Sequence, residues 1–313
     1  MISWGFLGAG SIAKSALAPA VHAASNATLS AVASRDRERA QGLSPHTVYE
    51  RYEDLLSDPT IDAVYISLAN DQHCRWSVAA MAAEKHVLCE KPVALTIEEL
   101  LQLESVANEN NSYFYEAFMI RSHPQWHWLQ NLDIGEPQSA HFVFSYPQQP
   151  IGNYRNRADD GGGPLYDIGC YAILSGCLLF SGMPEVISAN AIMNNNFDVE
   201  KQVDAVLMWP NGAILNFTVS GSAALCQSLS VLGTNGWAKL NVPVNPPEVT
   251  HAYWSKGGLQ EGTKVSFPAC NQYKLMVDDF VSQANSGVPS DFSISRVVTK
   301  TINDIQRIAG LTI

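Results

Sequence analysis

Positive charge is scarce in this 313-residue sequence: 19 Lys and Arg stand against 30 Asp and Glu, which gives a formal net charge of -11. Such an excess of negative charge repels the phosphates of nucleic acids and the headgroups of anionic lipids. We therefore expect neither a nucleic-acid partner nor a role at a membrane surface. An anionic ligand must be held by local geometry against the overall field.

Long apolar runs and cysteine motifs are missing as well. The longest apolar run extends from Tyr171 to Phe180, far short of the about 20 residues that a membrane span needs. The six cysteines contain no CxxC pair. They lie in segments with the composition of core or strand, which favours reduced, buried thiols over disulfides or a zinc site. The chain starts in an apolar segment without a basic signal region, so we expect a soluble, cytoplasmic protein.

The sequence contains two regions that differ in their pattern of apolar and polar residues. In the first region, short and nearly continuous apolar segments alternate with helical patterns, as expected for a parallel sheet that is covered on both faces. Strands are predicted at 2–7, 29–34, 63–68, 86–90 and 113–118, and helices at 12–24, 52–57, 76–83 and 97–110. This order predicts a doubly wound α/β domain of the Rossmann type over residues 1–121.

The second region, residues 122–313, has segments that alternate apolar with polar residues, and turn signals such as Pro210-Asn211-Gly212 separate them. Strands are predicted at 140–146, 186–193, 205–208, 213–219, 227–232 and 237–242, and helices at 167–180, 273–284 and 295–307. Such patterns are typical of antiparallel hairpins. We predict an α+β domain with a large, mainly antiparallel open sheet, whose final helix can pack back toward the first domain.

A glycine loop, Gly8-Ala9-Gly10-Ser11-Ile12-Ala13, follows the first predicted strand and opens the first predicted helix. Gly8 permits a tight turn and Gly10 lets the backbone approach a pyrophosphate. The helix start at Ser11 and Ile12 presents free N–H groups and a positive dipole end. Two glycines occur in many strand-to-helix turns, but their place in an N-terminal βαβ unit predicts a dinucleotide site.

The end of the second predicted strand bears on the choice of cofactor. An NAD site usually has an acidic side chain there, which accepts from the ribose 2′-hydroxyl. Here Ser34 and Arg35 stand at that point, and a hydroxyl and a guanidinium suit a 2′-phosphate. We therefore predict NADP(H) as the preferred cofactor and NAD(H) as the alternative. In the other interpretation, Arg35 is a solvated loop residue and Asp36 binds the ribose.

Two further polar segments follow predicted strands of the same sheet. Asn70 and His73 come after strand 63–68, and Glu90-Lys91-Pro92 comes after strand 86–90. Ligands of open α/β sheets bind at the carboxyl ends of the strands, so Asn70, His73 and Glu90 are candidate cofactor residues. The Lys91 ammonium can donate to a substrate oxygen and stabilise an alkoxide. Taken singly, such a lysine is more often a surface residue and such a histidine more often a helix-start residue, but Lys91 and His73 both follow strands of one predicted sheet.

A glycine run, Gly161-Gly162-Gly163, leads into a predicted helix that carries Asp167 and Tyr171. At a spacing of i, i+4 these two side chains share one helix face. A phenol close to a lysine cation can carry a proton, because the charge lowers its pKa. An amphipathic helix with an acid in its first turn and a packed tyrosine explains the same pattern.

In this order, these segments and the stretch Glu116-Ala117-Phe118-Met119 with Arg121 resemble the Gfo/Idh/MocA family, which includes glucose–fructose oxidoreductase and inositol dehydrogenase. The tyrosine after Asp-Ile-Gly, Tyr171, is similar to the branch of dihydrodiol dehydrogenases and NADP-dependent xylose dehydrogenases. The resemblance implies that Lys91 binds and polarises the reacting oxygen, that Tyr171 is the general acid/base, and that Asp167 orients the substrate.

The same resemblance implies that Arg155 and its neighbour Tyr154 lie on the substrate side, and that the second domain forms a homodimer through the exposed face of its sheet. The expected activity is hydride transfer between nicotinamide and a CH–OH or C=O carbon of a sugar, polyol or cyclic diol. Two alternatives stay open: a regulatory protein that binds the dinucleotide without catalysis, and a glycosidase that uses NAD for transient oxidation.

A metal site is not expected. His123 and His127 stand at i, i+4 with Glu116 nearby in sequence, but Pro124 lies between the histidines and no third ligand is evident. The proposed hydride chemistry needs no metal, so a structural role is the better interpretation of this pair.

Overall fold

The computed structural model describes residues 1–258 and 262–311. The chain divides into two compact units. The first unit contains Met1–Ser122 and Asn271–Ser295, and the second contains His123–Cys270 and the chain from Arg296 onward.

The bounds of the regular elements are as follows. The strands are β1 Ile2–Leu7, β2 Ala27–Ala33, β3 Thr47–Tyr49, β4 Ala63–Ile66, β5 His86–Cys89, β6 Phe114–Glu116, β7 Pro137–Ser145, β8 Glu185–Met193, β9 Glu200–Met208, β10 Ile214–Ser220, β11 Cys226–Gly233, β12 Gly236–Leu240, β13 Thr250–Ser255 and β14 Thr263–Phe267. The α-helices are α1 Ala18–Ala23, α2 Arg37–Gln41, α3 Tyr52–Leu56, α4 His73–Ala82, α5 Ile97–Glu109, α6 Pro124–Gln130, α7 Cys170–Leu179, α8 Gln272–Ser286 and α9 Ser293–Ala309.

The first unit is built on a six-stranded sheet in the order β3-β2-β1-β4-β5-β6. Every neighbouring pair in this sheet is parallel. The predicted doubly wound domain is therefore confirmed. The strand order reverses between β1 and β4, and ligands of such folds bind at the carboxyl ends of the strands beside this reversal.

The packing of α8 changes the domain boundary that the sequence suggests. Residues 1–121 and 122–313 were predicted as the two domains, with the final helix able to pack back toward the first, but it is the segment Asn271–Ser295 with α8 that is part of the first unit. Phe280 of α8 lies with its ring centroid 4.8 Å from that of Trp4 in β1, and Ser122 donates to Asp279 at 2.5 Å. A helical pattern indicates which face of α8 is apolar, but not which distant strand that face will cover.

The second unit is built on an eight-stranded sheet in the order β14-β13-β12-β11-β7-β10-β9-β8. All pairs are antiparallel except β7 with β10, which confirms a mainly antiparallel sheet. Side chains such as Phe142, Phe217 and Leu229 are buried on one face, and α7 packs against β7 there. The predicted turn at 210–212 joins β9 to β10, with Gly212 at a φ of +85°.

The cysteines differ in their exposure to solvent. Cys74, Cys89 and Cys170 are free and buried as predicted, but Cys177 and Cys270 are only partly buried and Cys226 is exposed. Cys226 is the first residue of β11, and a strand end leaves a side chain open to solvent even when the strand interior is covered. Along the described ranges, no helix combines the length and apolar composition that crossing a bilayer requires.

Candidate active site

The glycine loop lies where β1 ends, and the chain is helical from residue 11 onward. Gly8 has a φ of +93°, and a Cβ there would come within 2.9 Å of the Leu68 side chain and 3.0 Å of the Ser67 carbonyl oxygen. Both the backbone angle and the close approach to the segment after β4 therefore require glycine. At Gly10 a Cβ would meet only the Ser67 oxygen, at 3.5 Å, so the protein itself leaves room on this side of the loop.

The residues after β2 form a small hydrogen-bonded turn. Ser34 is buried and its Oγ accepts from the backbone N–H of Asp36 at 3.1 Å. Asp36 in turn caps α2: its Oδ1 accepts from the N–H of Arg39 at 3.0 Å, and its Oδ2 pairs with the Arg39 guanidinium at 3.0 Å. Both oxygens of Asp36 are thus used within the turn, whereas Arg35 is exposed beside it.

Lys91 lies in the loop that follows β5, next to an anchored acid. Glu90 accepts from the hydroxyl of Tyr65 at 2.7 Å, and Tyr65 is buried in the neighbouring strand β4. Burial, together with the negative charge of Glu90, raises the pKa of Tyr65 well above its usual value. Lys91 itself is half-buried, and its peptide bond to Pro92 is cis.

His73, which was predicted to bind the cofactor, is buried at the start of α4 and bridges two loops. Its Nδ1 lies 2.8 Å from the carbonyl oxygen of Pro92, and its Nε2 lies 3.2 Å from that of Leu68. Burial lowers the pKa of His73 to about 4, so the ring is neutral at pH 7 and donates from Nδ1 to the closer carbonyl. These are the contacts of a residue that positions the Lys91-Pro92 loop. Asn70 is also buried, in the short turn before α4.

Glu116, the last residue of β6, received no role of its own from the sequence. Its side chain is 5% exposed. One oxygen, Oε1, accepts from the N–H of Val93 at 3.1 Å, and the other, Oε2, accepts from the hydroxyl of Ser295 at 2.5 Å. An acidic residue inside an apolar strand was the signal in the sequence, since a carboxylate is seldom buried without a purpose.

In the second unit, three of the predicted site residues lie together. Asp167 is buried, and its Oδ2 accepts from Nε of Arg155 at 2.6 Å. The Arg155 guanidinium also lies 4.7 Å from the centre of the Tyr154 ring. The sequence placed these residues twelve positions apart, and the fold brings them into direct contact.

Tyr146 is a member of this group that the sequence did not reveal. It directly follows β7, and its hydroxyl makes a side-chain hydrogen bond to Asp167. Burial, reinforced by the negative charge of Asp167, raises the pKa of Tyr146. The hydroxyl therefore stays protonated and donates to the carboxylate, which then has donors from both Tyr146 and Arg155. A tyrosine at a strand end carries no motif that would have identified it.

Tyr171 is one turn further along and is buried, with its ring centroid 6.4 Å from that of Phe144. The predicted helix 167–180 is interrupted at its start: residues Leu165–Gly169 form a π turn that continues into α7. Single π turns of this kind are frequent at functional sites. Asp167 lies inside this turn and Tyr171 directly after it.

The glycine run before this turn makes room for a buried carboxylate. Gly163 has a φ of +95°, and a Cβ there would lie 2.6 Å from the carboxyl carbon of Glu200. Oε1 of Glu200 accepts from the N–H of Leu165 at 2.9 Å, at the start of the π turn. Burial raises the pKa of Glu200 to about 7. Any side chain at Gly163 would displace this carboxylate and, with it, the turn that carries Asp167.

His123, the first histidine of the pair, caps a helix. His123 is buried and its Nδ1 accepts from the N–H of Gln125 at 3.0 Å, which caps α6. Burial lowers the pKa of His123 to about 4. Within the residues that the structure describes, no cluster of three or more His, Cys, Asp or Glu side chains is placed to hold a metal ion.

Comparison with known proteins agrees with this fold. A family model described as an oxidoreductase family with an NAD-binding Rossmann fold matches residues 2–118. A second model, the C-terminal domain of the same family, matches residues 126–239. The chain therefore belongs to the Gfo/Idh/MocA family of oxidoreductases, which confirms the predicted resemblance.

Individual relatives come from the predicted branch. The chain is 30% identical to a D-xylose 1-dehydrogenase (NADP(+)) of Haloferax volcanii, over 96% of this chain and 95% of the relative. It is 31% identical to trans-1,2-dihydrobenzene-1,2-diol dehydrogenase of Bos taurus, over 69% and 67%. Among solved structures, the 3-ketoreductase KijD10 of Actinomadura kijaniata, in complex with NADP and TDP-benzene, superposes with a TM-score of 0.91 at 27% identity, covering 98% of this chain and 97% of that one.

Proposed function

We propose that this protein is an NADP(H)-dependent oxidoreductase that transfers hydride between the nicotinamide and a CH–OH or C=O carbon of a sugar, polyol or cyclic diol. The observation that carries the proposal is the position of Lys91 at the carboxyl end of β5, on the same edge of the sheet as Gly8 and Gly10. This is the edge at which nucleotide ligands bind in doubly wound sheets. The Lys91 loop is held by the hydrogen bond between His73 and the carbonyl oxygen of Pro92.

A dinucleotide fits the residues of the first unit. The first helical turn begins at Ser11 and Ile12 beside the open side of Gly10, and its N–H groups would bind the pyrophosphate. Within the described part of the chain, the buried Oγ of Ser67 has no hydrogen-bond partner. It would lie 3.5 Å from a Cβ at Gly8, so a ligand in the loop would supply the missing partner. When bound, the nicotinamide would supply the hydride chemistry.

The chain's own residues would bind the substrate and move the proton. The Lys91 ammonium would donate to the reacting oxygen and stabilise its developing charge. Tyr171 would give or take the hydroxyl proton. Asp167, held by Arg155 and Tyr146, would orient the substrate with a fixed carboxylate. The positive Arg155 is balanced by Asp167, which suits a substrate with neutral hydroxyls better than an anionic one.

We infer a preference for NADP(H) from the turn after β2. Asp36 uses both carboxylate oxygens within the turn, so the acid that would bind a ribose 2′-hydroxyl is already engaged. Ser34 and the exposed Arg35 suit a 2′-phosphate. The solved ketoreductase binds NADP and the xylose dehydrogenase is named for it, which supports the same choice.

The preference can be measured with Arg35→Ala. We expect the Kd of NADPH to rise about 10- to 100-fold, because a charge-assisted contact to phosphate contributes about 1.5–3 kcal/mol, while the Kd of NADH stays nearly constant. Fluorescence titration of both reduced cofactors measures this. Arg37→Ala, at an exposed arginine two positions further on, is the matched control. Equal losses for NADPH and NADH would refute the assignment of Arg35 to the 2′-phosphate.

The activity itself is tested by a spectrophotometric screen of NADP(H) and NAD(H) against aldoses, inositols, cyclic diols and α-dicarbonyls. We expect net oxidation or reduction of at least one class. NADPH binding without turnover would favour a regulatory protein instead. Release of sugar from a glycoside without net change in the cofactor would favour the glycosidase. The named relatives are dehydrogenases and reductases, which favours neither alternative.

We also propose a homodimer through the sheet of the second unit. One face of this sheet is covered by α7, whereas Val143, Val206 and Ile192 lie half-buried or exposed on the other. A second copy on this face would bury those side chains. Light scattering that gives the mass of one chain at micromolar concentration would contradict the dimer.

A further inference from the structure

The end of β6 places a buried acid beside the loop of the proposed catalytic lysine. Glu116 pairs in register with Cys89, the last residue of β5, and Lys91 follows Cys89 by two positions. Glu116 and the Lys91 loop therefore lie at the same edge of the sheet. The proposed function gives Glu116 no role.

Two neutral donors hold the Glu116 carboxylate. The N–H of Val93, two positions beyond Lys91, donates to Oε1 at 3.1 Å, and the hydroxyl of Ser295 donates to Oε2 at 2.5 Å. A glutamine could accept from Val93 equally well and would carry no charge into the interior. A carboxylate is expensive to bury, so hydrogen bonding to Val93 alone does not explain an acid here.

Two cations act on Glu116. Arg121, from the turn after β6, and Lys91, from the loop after β5, both favour the ionised carboxylate. The other titratable groups that face it are Tyr115 on β6 and Cys89 on β5. Both are buried in the sheet and their pKa values are raised, so both are neutral at pH 7. The interaction between Glu116 and Lys91 is reciprocal: the lysine stabilises the carboxylate, and the carboxylate stabilises the ammonium.

We propose that Glu116 is a positioning residue for Lys91: its carboxylate holds the backbone two residues beyond the lysine and places a buried acid beside the lysine loop. This inference rests on the proposed role of Lys91. Glu116 does not touch the substrate in this account, and it acts through the lysine loop alone.

The titration of Glu116 should make both turnover and stability depend on pH. Burial raises the pKa of Glu116 to about 7, against the opposing contributions of Ser295, Val93, Arg121 and Lys91. As the pH falls through about 7, the carboxylate is protonated and its attraction for the Lys91 ammonium is lost, so turnover should fall on the acid side. Because the folded-state pKa is raised, the charge destabilises the fold above pH 7 and this effect disappears as the pH falls. Glu116→Gln should therefore be at least as stable as the wild type at pH 8.

The first test reads the lysine directly and needs no turnover. The full chain and its variants are labelled with acetic anhydride at pH 8.5, and Lys91 acetylation is followed by peptide mass spectrometry. In Glu116→Gln we expect Lys91 to react about 10-fold faster, because loss of a neighbouring charge of this kind changes the neutral fraction of an amine by about one order of magnitude. The matched control is Glu109→Gln, which alters an exposed acid that also accepts from a serine, Ser105.

The second test is the pH profile of kcat on a substrate from the screen. In the wild type we expect an acid limb near pH 7. Glu116→Gln should lack this limb and have a kcat about 10-fold lower at pH 8. Ser295→Ala removes a donor that stabilises the carboxylate, so it should move the limb to higher pH, and Ser295→Thr should restore it. Ser105→Ala, at the exposed pair, should change nothing.

An unchanged Lys91 labelling rate together with an unchanged acid limb in Glu116→Gln would overturn the inference. If circular dichroism shows that Glu116→Gln is unfolded, the same two measurements are made on Ser295→Ala. An unchanged labelling rate and an unchanged acid limb in Ser295→Ala would then overturn the inference. A wild type that turns over no substrate defeats the proposed function instead, while the labelling comparison still decides whether Glu116 sets the state of Lys91.

Discussion

Lys91→Met is expected to lower kcat about 10²- to 10³-fold while leaving the Kd of NADPH within about 2-fold. Methionine keeps the length and the apolar stem of the side chain but removes the ammonium. Loss of one preorganised donor to a developing oxyanion has effects of about this size. Because His73 and Glu116 hold the loop through the carbonyl of Pro92 and the N–H of Val93, the backbone should remain in place.

The measurement is steady-state kinetics on the best substrate of the screen, with cofactor binding followed by fluorescence. Lys274→Met serves as control, because Lys274 belongs to the same unit and makes a partly exposed i, i+4 pair with Asp278, which contributes little to stability. A Lys91→Met variant that turns over at the wild-type rate would remove Lys91 from the mechanism.

Tyr171→Phe is expected to lower kcat about 10²- to 10⁴-fold, the range typical for loss of a general acid/base. The substitution deletes one hydroxyl and leaves the ring, which is buried near Phe144, so the fold should be retained. We expect the Kd of the cofactor to stay the same. The remaining turnover should also lose the pH dependence that belongs to the phenol.

Kinetics and thermal unfolding of this variant are compared with those of Tyr253→Phe, which alters a half-exposed tyrosine on β13. Tyr146→Phe is a useful intermediate case. It removes one of the donors to Asp167 and should reduce kcat by about 10-fold, through orientation alone. If Tyr171→Phe and Tyr253→Phe behave alike, the proton is carried by another group.

The elements that could be predicted from the sequence are those with strong local patterns. β1 was predicted to the residue, because a strand covered on both faces is a continuous apolar run. β3 was missed, since its residues Thr47–Tyr49 are few and partly exposed. β13 and β14 were missed for the same reason: their side chains are mostly half-buried or exposed, so they lack the alternation that marked β9 and β10.

In the candidate site, too, only residues that belong to local motifs could be predicted from the sequence. Gly8, Lys91, Asp167 and Tyr171 could be named as candidates because each belongs to a short motif with its own local reason: a positive φ, a strand end, or a helical spacing. The motifs did not reveal the residues that brace them. Glu116 is held by Ser295, which is 179 positions away, and such partners cannot be read from a local pattern.

Local sequence therefore determined the parallel sheet, the glycine turn and the candidates for the chemically active side chains, because backbone angles and apolar periodicity act over a few residues. Only the tertiary structure decided which unit α8 belongs to, that His73 is neutral and spans two loops, and that Glu116 and Glu200 are buried acids. The physical reason is that desolvation and hydrogen-bond pairing depend on what lies across the fold, and a side chain's protonation follows from those surroundings.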